Sequence, residues 1–142
     1  MAHYFLPVIL PLGTPDDLDS KLSALEMLMN PHKDEEWDWY RVGGRWDGAI
    51  LGKSEGNYYN DGEEHEYLDN NCTVVSSLIK RLEQEKGEEN ALIPYFILTP
   101  DGQWLCNDDS EAARATRVVR NMYLSVLSEY PDCFVVGVDI HN

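Results

Sequence analysis

A chain of 142 residues with 43% hydrophobic and 11% aromatic side chains has the length of one domain and the apolar content for a core, which excludes wholesale disorder. Its 11 basic residues stand against 26 acidic ones, a formal charge of −15. Such a field repels nucleic acid and anionic membrane, and it favours basic partners or serves solubility alone. The longest apolar stretch, Tyr4 to Leu12, is too short to span a bilayer, and the first residues lack the basic region and cleavage site of a secretory signal. Three widely spaced cysteines, Cys72, Cys106 and Cys133, without a C-x-x-C pattern, argue for free thiols in a reducing cytoplasm.

Tyr4 to Leu12 is nearly all apolar, the pattern of a central strand covered on both faces. Thr14-Pro15-Asp16-Asp17 reads as a helix start, with Thr14 as cap, and Leu18, Leu22, Leu25 and Met29 continue at helical spacing until Asn30-Pro31. Residues 53–71 are polar, acidic and carry Tyr58, Tyr59 and Tyr67, which predicts a long loop. Thr73 to Lys86 is an amphipathic helix with Val74, Val75, Leu78, Ile79 and Leu82 inward. Ile93 to Thr99 and Gln103 to Cys106 are strands about a Pro100-Asp101-Gly102 turn. A longer helix, capped by Asp108, Asp109 or Ser110, carries Ala115, Val118, Val119, Met122, Val126 and Tyr130 inward, and Phe134 to Ile140 is the last strand. The expected fold is a single α+β domain over residues 1–142, a mainly antiparallel sheet with about three helices on one face. It is related to the split-βαβ (ferredoxin-like) plan, in which the first and last strands are antiparallel neighbours.

Three tryptophans fall within ten residues, Trp37, Trp39 and Trp46, with Arg41, Arg45 and the pair Gly43-Gly44 threaded among them. Trp and Arg are frequent binding anchors, and glycines let a backbone turn sharply or approach a ligand closely. If Gly43-Gly44 forms a two-residue hairpin turn, the expected arrangement, then Trp37, Trp39, Arg41 and Trp46 share one face. If the segment is a single strand with a bulge, Trp46 falls on the other face beside Tyr40. In the hairpin, the rings would stack a planar group while Arg41 and Arg45 hold a phosphate or carboxylate. The competing reading places the tryptophans in the core and pairs the arginines with Asp38 and Asp47.

The second candidate is His3 with Asp139 and His141, which neighbouring first and last strands would bring together. A carboxylate and two imidazoles suit zinc or acid–base chemistry, while solvated chain ends are the plain alternative. Asp139 follows the apolar run Val135-Val136-Gly137-Val138, so burial against a partner is also expected, with an arginine of the tryptophan segment as one possibility. Arg114, Arg117 and Arg120 spread over one side of a helix and read as a solvated face. The carboxylates between Asp61 and Asp69 lack a calcium-loop pattern. No Walker loop, G-x-G-x-x-G, G-x-S-x-G or H-E-x-x-H is present, so no cofactor and no catalytic residue is assigned.

The segments Trp37-Asp38-Trp39-Tyr40, Gly43-Gly44-Arg45-Trp46-Asp47-Gly48, Thr99-Pro100-Asp101-Gly102-Gln103-Trp104 and Val138-Asp139-Ile140-His141 together resemble a group of small uncharacterised proteins encoded by bacteriophages and bacterial genomes. The resemblance covers most of the chain in order. It implies a phage or mobile-element setting, hence the host cytosol, and carries no activity. Small proteins of that setting often block a host defence protein or sequester a signalling nucleotide, an analogy rather than a physical argument.

Three functions compete on these grounds. The leading expectation is a non-catalytic binding protein that captures a small anionic planar ligand such as a signalling nucleotide, in a counter-defence role. The second is an acidic inhibitor that mimics nucleic acid before a basic host protein, through residues such as Asp34, Glu35, Glu63 and Glu64. The third is a metal-dependent hydrolase or lyase built on His3, Asp139 and His141. Neither direct nucleic-acid binding nor a membrane role is expected, while exposed aromatics would also suit a homo-oligomer seam.

Overall fold

A computed structural model of the protein describes residues 3–52, 68–84, 94–106 and 117–142. The apolar first segment forms β1 (His3–Ile9), whose side chains alternate between two cores: Leu6 and Val8 pack on one side of the sheet, Phe5 and Ile9 on the other. Burial on both faces explains why this strand reads as a nearly continuous apolar run. Helix α1 (Leu18–Met29) follows one turn later than the sequence suggests. Its cap is Asp17, whose carboxylate accepts the Ser20 N–H at 2.8 Å, whereas the Thr14 hydroxyl donates to the Pro11 carbonyl at 2.6 Å and closes a turn instead. The hydrogen bonds from the Ser20 backbone and hydroxyl hold the Asp17 carboxyl below its ordinary range.

The remaining elements are β2 (Trp39–Val42), β3 (Cys72–Val74), α2 (Val75–Gln84), β4 (Phe96–Leu98), β5 (Trp104–Cys106), α3 (Arg117–Ser128) and β6 (Phe134–His141). The six strands make one sheet in the order β2-β6-β1-β4-β5, with β3 also paired to β6. Among the described strands, β1 and β4 run parallel and the other pairs are antiparallel. This is a mixed α+β fold, and its first and last strands are antiparallel neighbours. Because β4 lies directly beside β1, no strand divides that parallel pair, as one would in a split βαβ unit.

The helices cover both faces of the sheet rather than one. Leu25, Leu28 and Met29 of α1 pack on the side of Leu6, Val8 and Val138. Val75, Leu78 and Leu82 of α2 join Tyr123 and Leu127 of α3 on the side of Phe5, Ile9 and Val135. A sheet that buries both faces needs apolar side chains at successive positions of its central strands, and β1 and β6 supply them.

Two shifts of register follow from packing. Helix α3 turns Tyr123 and Leu127 fully inward, keeps the predicted Val126 and Tyr130 partly buried against the same core and leaves Met122 exposed, so its buried face is rotated in part from the predicted one. Thr73 and Val74, predicted as the start of a helix, belong to β3 and pair with β6, an environment that suits β-branched side chains. The predicted hairpin of β4 and β5 forms, with Gly102 N–H bonded to the Thr99 carbonyl at 3.0 Å across the turn. The end of the predicted 53–71 loop is core: Leu68 and Asn71 are fully buried. Residues 53–67 lie outside the described residues, as do the caps at 108–110 and Ala115. Among the described residues, no helix is long and apolar enough to cross a membrane.

Candidate functional site

Strand register builds the site. Across β1 and β6, His3 stands opposite His141 and Phe5 opposite Asp139. On the other edge of β6, Trp39 stands opposite His141 and Arg41 opposite Asp139. Cross-strand partners share a face and alternate residues return to it, so His3, Trp39, Arg41, Asp139 and His141 lie on one side at one end of the sheet. This is the face that α2 and α3 cover farther along, beyond Phe5.

Asp139 is buried, at 2% exposure. One carboxylate oxygen accepts the backbone N–H of Arg45 at 3.0 Å, and the other is bonded to His3 Nδ1 at 2.9 Å. The partner supplied by the tryptophan segment is therefore an amide rather than a guanidinium. A second pair lies alongside: His141 Nδ1 is 2.5 Å from Asp38 Oδ1, a hydrogen bond that holds the Asp38 carboxyl below its ordinary range. The two imidazoles are 5.2 Å apart, edge to face.

Trp39 completes the arrangement. Its ring is parallel to His141 within 7° at 5.3 Å, and His3 meets it edge-on at 5.4 Å. With 44% of its surface exposed, Trp39 is the tryptophan of the segment that faces solvent.

The hairpin does not form, and the single aromatic platform goes with it. After Val42, Gly43 (φ 77°) and Gly44 (φ 54°) turn the chain into a 3-10 turn over Gly44–Trp46, while β2 pairs with β6 rather than with a returning strand. The reason is close approach to the protein's own interior. A Cβ on Gly43 would lie 2.6 Å from Asn71 Nδ2, and one on Gly44 would lie 2.5 Å from the Asp139 Cβ. Neither glycine makes room for a ligand.

The tryptophans consequently separate. Trp37 is buried on the α1 side, its indole N–H bonded to the Met29 carbonyl at 2.9 Å and its ring edge-on to Tyr40. Trp46 packs into the opposite core against Phe5. Trp37 thus lies on the opposite side of the sheet from Trp39, while Trp46, on the same side as Trp39, turns inward against Phe5. Arg41 is half-buried and Arg45 exposed. The suggested pairing of these arginines with Asp38 and Asp47 gives way to other partners: Asp38 takes His141, and Asp47 accepts from Asn70 and Asn71 at 3.1 and 2.7 Å.

Asn71 stands out in the sequence only as the start of an Asn71-Cys72-Thr73 match to a glycosylation acceptor, an accidental one for a chain read as cytoplasmic, yet it organises this corner. Fully buried, it accepts the Gly48 N–H at 2.9 Å and donates to Asp47, and its carbonyl accepts the Gly137 N–H at 2.8 Å. That bond fills the gap along β6 between the stretches paired with β2 and with β3. Asp38, the partner that orients His141, was likewise hidden because 103 residues separate the two.

Among the described residues, no group of three or more His, Cys, Asp or Glu side chains is arranged to hold a metal ion; His3, Asp139 and His141 meet as parts of two hydrogen-bonded pairs. Burial pushes the Cys72 thiol up to about 11, which keeps it protonated and poorly nucleophilic near neutrality. Arg114 and the side chains of Arg117 and Arg120 lie outside the described residues, as do Glu63 and Glu64. No protein-family model, curated protein or solved structure matches the chain.

Proposed function

We propose that this is a binding protein that holds a small, planar, anionic ligand of the nucleotide class on the face formed by Trp39, His141, His3 and Arg41. The observation that carries the reading is an exposed indole, Trp39, backed by a parallel imidazole and flanked by groups able to bear positive charge. An aromatic face stacks any base, and imidazolium or guanidinium groups attract phosphate. In a chain of net charge −15, that end of the sheet gathers Arg41 with two imidazoles, each bonded to a carboxylate through Nδ1. The ligand set thus narrows to Trp39 and Arg41 and gains His3 and His141. In the phage or mobile-element setting that the sequence resemblance implies, the biological role we propose is sequestration of a signalling nucleotide in the cytosol of a host.

A thermal-shift screen against mono-, di- and cyclic nucleotides tests this. A ligand that binds only the folded chain at a hundred times its Kd stabilises it by about 2.7 kcal/mol. Trp39→Ala should weaken that binding roughly 5- to 150-fold, since a stacked base is worth about 1–3 kcal/mol, with little change in the unliganded melting temperature. A screen in which no nucleotide shifts the transition contradicts the reading and favours an acidic surface aimed at a basic partner, with exposed Asp34 and Glu35 among its contacts.

A further inference from the structure

Stacking and charge attraction need neither of the two histidines to be fixed by a carboxylate, yet both are. His3 Nδ1 is 2.9 Å from the buried Asp139 carboxylate, and His141 Nδ1 is 2.5 Å from that of Asp38. A carboxylate at Nδ1 keeps a proton there and fixes the ring. The neutral ring then offers the Nε2 lone pair as a base, and the protonated ring offers Nε2–H as an acid. Among the described residues, no hydrogen bond occupies either Nε2. Both side chains stay in contact with solvent, at 18% and 13% exposure, and their rings are 5.2 Å apart. One phosphate can be bridged by two imidazoles so placed, each within hydrogen-bond reach of a different oxygen.

We propose that His3 and His141 are a general acid–base pair that cleaves a ribose phosphodiester bound on the Trp39 face. The proposal rests on the nucleotide-binding reading above and adds an activity to it. In the step, the neutral imidazole takes the proton of the ribose 2′-hydroxyl while O2′ attacks phosphorus. The bond from phosphorus to the departing O5′ breaks with its electron pair on O5′, which takes the Nε2 proton of the imidazolium. The products are a 2′,3′-cyclic phosphate and a free 5′-hydroxyl. One proton leaves the substrate and one returns, so nothing is oxidised or reduced. Asp139 and Asp38 are positioning residues for the two rings. Among the described residues, the other charged group that strand register places on this face is Arg41, opposite Asp139 on β2, where it can offset charge on the phosphate.

The test uses the full chain with the ribodinucleotide adenylyl-(3′→5′)-adenosine and its 2′-deoxy analogue. Binding is read by quenching of tryptophan fluorescence and products by chromatography. The expected result is conversion of the ribodinucleotide to adenosine 2′,3′-cyclic phosphate and adenosine, with a bell-shaped pH profile and no reaction of the deoxy analogue. His3→Gln and His141→Gln should each lower turnover by at least about 100-fold at ribodinucleotide concentrations raised until quenching saturates, so that any loss of affinity does not enter the comparison. Binding of the ribodinucleotide by the wild-type chain without product overturns the acid–base proposal and leaves the binding reading intact. Cleavage that persists in both variants overturns it as well. Absence of quenching and of product overturns both.

Discussion

Gly44→Ala is expected to destabilise the protein by roughly 2–5 kcal/mol, about 1–2 from the left-handed backbone and about 1–3 from overpacking. Gly44 has φ 54°, and a Cβ there would stand 2.5 Å from the Asp139 Cβ and closer still to Oδ2. The carboxylate cannot retreat freely, because it is bonded to both the Arg45 amide and His3. A loss of that size should lower the melting temperature on the order of 10 °C. Gly13→Ala is the matched control: φ is 86°, but nothing lies within 4 Å of the added Cβ. It carries the backbone strain without the collision, so calorimetry should find it clearly milder. Equal losses at the two positions would show that Asp139 does not crowd Gly44.

Asn71→Ala should cost a comparable amount for a different reason. The substitution strands the Gly48 N–H and removes the shorter of two donors to the buried Asp47 carboxylate. The stranded N–H costs about 1–3 kcal/mol and the lost hydrogen bond to the carboxylate about 1.5–3, so the sum is roughly 2–6 kcal/mol. Asn71→Asp separates shape from chemistry. It keeps an acceptor for Gly48 but sets a second carboxylate against Asp47 where the Nδ2 donor stood at 2.7 Å. Two carboxyls in that contact hold a proton above the ordinary carboxylate range. A raised folded-state pKa means that the stability belonging to the protonated form is present in acid and lost as pH rises. Denaturant unfolding of Asn71→Asp should therefore give a deficit relative to wild type that grows from mild acid to neutral pH. A deficit independent of pH would show that the Asn71–Asp47 contact is not the source of the loss.

What the sequence revealed and what it hid divide along one line, the range of the interactions involved. The continuous apolar run of β1, the 3.6-residue spacing in α1 and the Pro100-Asp101-Gly102 turn are local patterns, and each led to the element observed. Antiparallel pairing of the first and last strands brought His3, Asp139 and His141 to one end of the sheet, as that topology requires. The fate of Gly43-Gly44 was not local. A glycine pair between candidate strands is the ordinary signature of a hairpin, and only the tertiary approach of Asn71 and Asp139 turns the chain elsewhere. The tryptophans divided for the same reason: with both sheet faces buried, each large ring finds core on its own side, and Trp39 escapes by lying at the sheet end. Asp17 displaced Thr14 as cap because Thr14 was already engaged with Pro11, a competition between neighbouring side chains that residue type alone does not decide.

The proposal that a nucleotide binds on the Trp39 face can be tested directly at the histidines. The chain has four, His3, His32, His65 and His141, and His32 serves as an internal reference because it lies against Trp104 with its Nε2 bonded to the Gly102 carbonyl at 3.0 Å. Titration of histidine-labelled protein with the non-cleavable 2′-deoxy dinucleotide, followed by nuclear magnetic resonance of the imidazole rings, should move the His3 and His141 resonances together along one saturation curve while His32 stays in place. Saturable binding that shifts His32 and leaves His3 and His141 unmoved, or a titration that moves none of them, would contradict the assignment of the site.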